Sequence, residues 1–326
     1  MEGRSARSAV AGTVIGCLLA AAVVLGLSAC VSNTDAAAGA GAPYPSTASA
    51  AASPEPTSQL AAGNGSAALS TAPQRPPTSP VHASLLESDG LTYGVGMPII
   101  MRFDASVTDP TALEQAVTVD VDGAPAGGAW YWFTPTEAHY RLENYWPAGS
   151  TITMNAPLRG LSAGQGLAYD DDLTLEMLIG DAHISTVDAD SLLMTVTSNG
   201  AVVNTLPVSL GKAATPTYQG AKVIMEKDRV QRMVGPGYDE DVPWSLRITN
   251  SGEFVHAADW NTQIGEASTS NGCTNLETDA AIWMFNFSLI GDVVLYPNAP
   301  GPQMSSWDGY GDWNLDWPTW QGGGAL

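Results

Sequence analysis

The sequence has little charge, and very little of it is positive. Only 14% of its 326 residues are Asp, Glu, Lys or Arg, and 33 acidic residues face 12 basic ones, for a formal net charge of −21. A surface of that sign repels phosphate backbones, which argues against a nucleic-acid partner. Hydrophobic residues make up 44% of the chain and aromatic residues 8%, which excludes a fully disordered protein.

The sequence also lacks the spacings typical of metal and nucleotide sites. It contains no HExxH, P-loop, GxGxxG or paired-cysteine pattern, so neither a metal nor a nucleotide cofactor is expected. The run Asp170-Asp171-Asp172 favours a solvated hairpin end over a cation site. The histidines outside the segment discussed below are expected to have structural roles; they are His82, His139 and His183.

Cysteine is scarce, with three in the whole chain. Residues 1–29 combine Arg4 and Arg7 with a long apolar stretch, which predicts a secretory signal, with a permanent membrane anchor as the alternative. The stretch ends in Leu-Ser-Ala-Cys30, which resembles a bacterial lipobox and implies cleavage before Cys30 and lipidation of that residue. The exported fold would then keep one thiol, Cys273, which we expect to be either buried or used.

Composition divides the rest of the chain. From residue 31 to residue 80, 39 of 50 residues are Ala, Ser, Pro, Thr or Gly, which predicts a linker over 30–80. Short β-rich runs separated by turn signals follow, and over about 100 residues that spacing is typical of an immunoglobulin-like sandwich. We predict a mainly β chain with this sandwich at 81–180, a second β-rich domain at 181–300 and a Trp-rich C-terminal extension at 301–326.

One helix is predicted, at about Thr278–Phe287, where Ala280, Trp283, Met284 and Phe287 recur at helical spacing. The turn Ser198-Asn199-Gly200 predicts a β-hairpin. The acidic run Asp239-Glu240-Asp241 is expected to form an exposed loop, and attraction of an ammonium group is the alternative.

The chemistry-bearing segment runs from Phe254 to Asn275. Cys273 follows Gly272, which permits a tight backbone turn, and His256 lies 17 positions upstream at the end of a strand-like run. A neighbouring imidazole can take the proton of a cysteine thiol and so activate it as a nucleophile. By spacing alone, a buried cysteine and an unrelated histidine explain the pattern equally well.

This segment resembles the active-site signature of the L,D-transpeptidases, which have a YkuD-like catalytic fold. In that signature a histidine is followed by Ser/Thr-His-Gly-Cys-x-Asn, and the sequence here reads Ser-Asn-Gly-Cys-Thr-Asn over 270–275. Residues 182–211 resemble the opening hairpins of that domain. Residues 309–320 resemble the Trp-rich tail of the mycobacterial members, and 117–146 resemble their immunoglobulin-like domain. The likeness covers about residues 85–326.

The resemblance implies a role for each matching residue. Cys273 would be the nucleophile and His256 the base, with the backbone carbonyl of Ala257 as the third catalytic element. The amides of Gly272 and Cys273 would stabilise the oxyanion. Substrate-binding positions would be Tyr238 on a flap over the pocket, Trp260, Met225, Asn271 and Asn275. Asn271 departs from the pattern, because the family usually has histidine there.

The activity that the resemblance implies is the formation of 3→3 cross-links between peptidoglycan stem peptides. Cys273 would attack the bond before the terminal D-Ala, release D-Ala and form a thioester, which an amine of a neighbouring stem resolves. Carbapenem β-lactams would acylate the same cysteine. We expect an exported monomer anchored to the membrane through Cys30 and acting in the cell wall. The alternative is a non-catalytic lipoprotein that only binds peptidoglycan.

Overall fold

The computed structural model describes residues 79–235 and 238–326. Within these ranges the chain is mainly β, as predicted, and no helix is both long and apolar enough to span a membrane. The predicted signal, Cys30 and nearly all of the predicted linker lie outside the described residues. The first described strand already begins at Ser79, two residues before the predicted start of the sandwich.

The first part of the described chain is a sandwich of two sheets with a small third sheet at its side. The five-stranded sheet has the spatial order Leu91–Tyr93, Leu173–Ile179, Thr151–Ala156, Thr118–Val121 and Ala124–Pro125. The four-stranded sheet has the order Ala83–Leu85, Ile99–Phe103, Glu137–Arg141 and Ala129–Thr134. The side sheet consists of Ser79–Val81, Leu167–Tyr169 and Ser162–Gly164, and a short helix spans Thr111–Ala116.

Strand alternation explains how this sandwich packs. In Leu173–Ile179, Leu175, Met177 and Ile179 are buried while the residues between them are exposed. One side of the strand therefore faces the core. That core also contains Trp132 and Ile99 from the facing sheet, as well as Val223 and Tyr310 from the C-terminal half of the chain. The sandwich and the second domain thus share apolar packing.

The second part of the described chain contains two further sheets and one helix. The five-stranded sheet has the order Ala201–Pro207, Leu193–Ser198, His183–Asp188, Val293–Tyr296 and Gly220–Val223. The four-stranded sheet has the order Glu226–Gly235, Tyr238–Arg247, Phe254–Ala257 and Thr274–Leu276. The helix occupies Thr278–Phe287, the predicted bounds, and buries Ala281 and Met284 in a core shared with both sheets.

Two features of this part test the local sequence predictions. The hairpin signal is confirmed, because Asn199 and Gly200 both have positive φ, at 49° and 80°, as a two-residue turn of this type requires. The exposed loop predicted for Asp239-Glu240-Asp241 is wrong, because these residues lie in the strand Tyr238–Arg247. The partner strand Glu226–Gly235 has no buried residue, and Asp239, Glu240 and Asp241 are all exposed, so this stretch lacks the apolar alternation by which strands are recognised.

The Trp-rich C-terminal segment packs onto the first sandwich. It forms a 3₁₀ turn at Gly311–Asn314 and a helix at Trp317–Gln321. Trp320 is fully buried, stacks on Tyr131 and donates from Nε1 to the carbonyl of Ala129 at 2.8 Å. The guanidinium of Arg141 lies 4.7, 5.5 and 4.3 Å from the ring centroids of Trp313, Trp317 and Trp320. The C-terminal segment therefore packs against the first domain and brings the two ends of the described chain together.

Candidate active site

A parallel strand pair brings the predicted base and nucleophile together. Phe254–Ala257 pairs with Thr274–Leu276, and His256 lies directly opposite Asn275. Cys273 is the residue immediately before the second strand. The preceding Gly272 has φ +127°, a conformation that favours glycine, and this turn delivers the cysteine to the end of the strand.

His256 and Cys273 open into the same cavity, which has a volume of about 400 Å³. Its wall comes from the antiparallel strands Glu226–Gly235 and Tyr238–Arg247, here called the long hairpin, from the two paired strands and from the segment between those two. The lining residues are Met233, Tyr238, Glu240, Val242, His256, Trp260, Asn261, Thr262, Gln263, Thr269, Ser270, Asn271, Cys273 and Asn275.

The imidazole of His256 is buried and has a fixed orientation. Its Nδ1 lies 2.7 Å from the backbone carbonyl of Ala257, which can only accept, so Nδ1 carries the hydrogen and Nε2 is left as the acceptor. Burial lowers the pKa of His256 to about 4, although the bond to the carbonyl partly opposes this. The Trp260 ring stacks beside it with centroids 6.0 Å apart. At neutral pH His256 is therefore a neutral base.

The thiol of Cys273 is also kept neutral. Withdrawal from solvent raises the pKa of Cys273 to about 11, with the backbone N–H of Phe254 acting in the opposite direction. The sulfur lies 3.8 Å from the carbonyl oxygen of Gly252. Because thiol and imidazole are both uncharged in the resting site, formation of the thiolate requires transfer of the thiol proton to a base.

Ser270 holds the turn that carries the cysteine. Its Oγ donates to the carbonyl of Cys273 at 2.6 Å and accepts from the N–H of Gly272 at 3.1 Å. The Gly272 amide, predicted to face an oxyanion, is thus engaged by Ser270 in this structure, and its oxyanion role stays a prediction. Sequence reasoning gave Ser270 no role, although it is the first residue of the quoted signature.

A buried ion pair lies behind the same turn. Lys222 is fully buried, contacts the carboxylate of Glu253 and lies 3.9 Å from the centroid of the Tyr296 ring. The other carboxylate oxygen of Glu253 accepts from the N–H of Tyr218 at 2.8 Å. Nothing in the sequence paired these residues, which are 31 positions apart. The two residues lie next to the turn that carries Cys273, and each neutralises the charge of the other.

Comparison with known proteins places this arrangement in a family. Residues 182–295 match the L,D-transpeptidase catalytic domain, and residues 35–162 match a bacterial Ig domain. L,D-transpeptidase 1 of Mycobacterium tuberculosis is 30% identical over 250 residues, which cover 73% of this chain and 93% of the relative. The chain belongs to the L,D-transpeptidase family.

Further relatives agree with this assignment. L,D-transpeptidase 2 of Mycobacterium tuberculosis is 34% identical over 262 residues, covering 76% of this chain and 64% of that protein. For L,D-transpeptidase 5 the corresponding shares are 77% and 58%, so the chain spans under two thirds of the length of these two relatives.

Solved structures of the family have the same fold. The LD transpeptidase LdtMt1 in complex with imipenem superposes with a TM-score of 0.58 at 28% identity, covering 68% of this chain and all of that one. L,D-transpeptidase 3 of Mycobacterium tuberculosis, with a faropenem-derived adduct, gives 0.54 at 26% identity, covering 66% of this chain and 97% of that one. The predicted fold class, an immunoglobulin-like sandwich followed by a YkuD-like domain, is confirmed.

Most of the predicted substrate-binding positions of this L,D-transpeptidase line the cavity. Tyr238, Trp260, Asn271 and Asn275 all do so. Asn275 is only 4% exposed, and its side-chain oxygen has no hydrogen-bond partner among the described residues. Burial of this acceptor without a partner carries a free-energy cost.

The prediction for Met225 is wrong. Met225 packs against the core of the first sandwich and lines a separate cavity between the sandwich and the second domain. Met225 lies two residues after Val223, which belongs to the core of the first sandwich. Ile224, between them, belongs to the core of the second domain. The methionine that lines the cavity with Cys273 is Met233.

The departure at Asn271 has a local structural partner. Lys212 donates from Nζ to Oδ1 of Asn271 at 2.7 Å, and both residues are exposed. The backbone N–H of Lys212 also donates to the carbonyl of Ser270 at 3.0 Å. Asn271 is thereby held at the rim of the cavity, while His256 lies in its wall.

Proposed function

We propose that this chain is a cysteine acyltransferase that joins peptidoglycan stem peptides through 3→3 cross-links. The observation that carries the proposal is a cavity shared by a neutral thiol, Cys273, and a buried neutral imidazole, His256, whose Nδ1 is fixed on the carbonyl of Ala257. A binding protein has no use for this pairing, so the non-catalytic alternative is not favoured.

Acylation is the first half of the proposed reaction. Cys273 Sγ attacks the carbonyl carbon between the third stem residue and the terminal D-Ala, and the thiol proton passes to His256 Nε2. The oxyanion is stabilised by backbone amides at the cysteine turn, for which Gly272 has to release Ser270 or share its hydrogen. The carbon–nitrogen bond then breaks, the proton moves to the departing amine, and D-Ala leaves a thioester.

Deacylation completes the cross-link. The amine on the third residue of a neighbouring stem attacks the thioester, His256 accepts a proton from that amine, and the thiolate of Cys273 leaves and recovers a proton. One amide bond is broken and one is formed, so the reaction draws on no nucleotide. We assign Tyr238, Trp260 and Asn275 to substrate binding on their place in the cavity wall, and Asn271 to its rim.

Mass spectrometry tests the proposal directly. The full chain, incubated with stem tetrapeptides, should release D-Ala and give a dimer linked between third residues. A carbapenem should add one drug mass to the native protein and none to Cys273→Ala. Peptidoglycan binding without D-Ala release or drug adduct would establish the non-catalytic alternative, and an adduct that persists in Cys273→Ala would remove the nucleophile assignment.

We also propose export and lipidation of Cys30, on the strength of the sequence at residues 1–80, and action in the cell wall as a monomer. Metabolic labelling with an alkyne fatty acid should mark the native protein and not Cys30→Ala. Cys30→Ala should also move from the membrane fraction to the soluble fraction. Unchanged labelling in the variant would exclude Cys30 as the lipid site.

A further inference from the structure

The wall of the catalytic cavity carries one charged side chain at neutral pH, that of Glu240, among the residues that the structure describes. The other lining groups are apolar, amide, hydroxyl or phenol, together with His256 and Cys273. The pKa of about 4 for His256 and of about 11 for Cys273 leave both groups uncharged. Among the described residues, Glu240 is therefore the one charged group in the wall, while the ammonium of Lys212 is bound to Asn271 at the rim.

The orientation of Glu240 follows from strand geometry. Tyr238, Glu240 and Val242 alternate along Tyr238–Arg247, and all three line the cavity. Glu240 lies opposite Met233 on the partner strand, and Met233 lines the cavity as well. Residues at a spacing of two share one side of a strand, so the hairpin presents Glu240 to the cavity.

The two neighbouring acidic residues face the other side. Asp239 accepts two hydrogen bonds from Arg232, at 2.8 and 2.7 Å, and Asp241 lies opposite Arg232 in the strand register. Neither aspartate lines the cavity. Arg232 thus pairs with Asp239 on the outer side of the hairpin, while the described residues that line the cavity include no cation to pair with Glu240.

Resting on the function proposed above, we propose that Glu240 determines specificity for the acyl acceptor by binding its primary ammonium group. The covalent steps stay with Cys273 and His256; Glu240 contributes attraction alone, and the ammonium loses one proton to solvent before its nitrogen attacks. The thioester meets two competing nucleophiles, the amine and water. A carboxylate in the wall raises the local concentration of the cationic acceptor and leaves that of neutral water unchanged.

The experiment measures how the thioester divides between these nucleophiles. The full chain is incubated with stem tetrapeptide as donor, and cross-linked dimer and hydrolysed tripeptide are quantified at increasing acceptor concentration. In Glu240→Gln the ratio of dimer to hydrolysis product should fall about two- to fivefold, because the KM for the acceptor rises. A factor of that size is the usual contribution of a partly exposed ion pair. In Glu240→Lys it should fall further. Added salt should reduce the native ratio towards that of Glu240→Gln.

Two controls separate charge from shape. Asp241→Asn removes the same charge from the outer side of the hairpin and should keep the native ratio. Hydroxylamine, which is uncharged at neutral pH, also resolves the thioester, and its partition against water should be equal in the native protein and Glu240→Gln. An equal loss with hydroxylamine would overturn the proposal, since Glu240 would then act through the shape of the cavity.

Three further outcomes are decisive. An equal fall of the ratio in Asp241→Asn would overturn the proposal in favour of the general field of the acidic protein. Absence of D-Ala release from the native chain would remove the function on which the proposal rests. Normal D-Ala release with a partition insensitive to Glu240→Gln would remove the acceptor site alone.

Discussion

Two buried histidines of this molecule differ in charge at neutral pH. His256 in the cavity that it shares with Cys273 is 4% exposed, and His139 at the junction of the first sandwich with the C-terminal tail is 2% exposed. The partner of His256 is a backbone carbonyl, 2.7 Å from Nδ1. The partners of His139 are two carboxylates, with Nδ1 2.7 Å from Asp312 and Nε2 3.3 Å from Glu137.

The difference shows that burial alone does not decide the charge of an imidazole. Burial lowers the pKa of His256 to about 4. Burial also acts to lower the pKa of His139, but the charges and hydrogen bonds of Asp312 and Glu137 reverse the effect and raise it to about 9. His256 is therefore neutral, with one nitrogen able to accept a proton. His139 is a cation that donates from both nitrogens and serves as a clamp between the strand Glu137–Arg141 and the tail.

The largest expected effect comes from removing the neutral histidine. His256→Ala should slow acylation of Cys273 by a carbapenem about 10²- to 10⁴-fold, the usual worth of a positioned general base. In the native protein the rate should be flat from pH 6 to pH 8 and fall in acid as His256 takes up a proton near its pKa of about 4. Intact-protein mass spectrometry over time gives both quantities.

The matched control is His139→Gln, which removes the other buried imidazole and leaves the cavity untouched. Its acylation rate should equal that of the native protein at a temperature where both are folded. A native rate that rises through pH 6.5 would show that the base titrates as an ordinary histidine, contrary to its position in the wall.

The second effect concerns the clamp. Asp312→Asn removes the carboxylate closest to His139 and should lower the free energy of unfolding by about 3 kcal/mol, because a buried ion pair loses one partner. Deprotonation of His139 limits the cost. Urea unfolding followed by tryptophan fluorescence measures it, with Asp316→Asn as a control at an exposed helix cap in the same tail. A cost no larger than that of the control would show that His139 is not held as a cation.

The sequence predicted the placement of His256 beside Cys273, whereas for His139 it predicted a structural role without its partners. His256 belongs to a signature whose members lie within 20 residues of each other, and the strands that carry it pair directly. The structural role expected for His139 is correct, but its partner Asp312 is 173 positions away and no local pattern joins them. The pair Lys222–Glu253 was missed for the same reason, since its meaning depends on burial.

The long hairpin and Met225 show a second limit of prediction from sequence. The strand Glu226–Gly235 has no buried residue, so it lacks the periodicity on which strand prediction rests. Met225 was placed by its position in a family pattern, and it packs instead against the first sandwich, which that pattern does not describe. The helix Thr278–Phe287 was predicted correctly because one of its faces is apolar at helical spacing.

The third effect is the pH dependence of stability, where the two histidines should act in opposite directions. His256 binds its proton more weakly in the folded than in the unfolded state, so its contribution is present above the ordinary pKa of 6.5 and is lost as pH falls towards 4. His139 binds its proton more tightly when folded, so its contribution is present below 6.5 and is lost as pH rises through 9.

Difference curves isolate each histidine. Burial raises the pKa of Glu87 to about 7, so this group lowers the stability of the fold as pH rises from 4.5 to 7. The curve of the native protein alone therefore combines the contributions of Glu87 and the two histidines. The difference between native protein and His139→Gln should shrink from pH 6.5 to 9, and that between native protein and His256→Gln should shrink from pH 6.5 to 4. Parallel curves in either comparison would contradict the assigned charge.

The smallest expected effect tests whether a second histidine beside Cys273 can act as the base. Asn271 is exposed at the rim of the cavity and accepts from Lys212 at 2.7 Å, whereas His256 lies in the wall with its Nδ1 fixed. Asn271→His should therefore keep D-Ala release within about tenfold, or about 1.4 kcal/mol in barrier height. It should also fail to rescue His256→Ala. Release that appears only when residue 271 is histidine would show that the base is assigned to the wrong position, because the buried neutral imidazole would then be a structural group like His139.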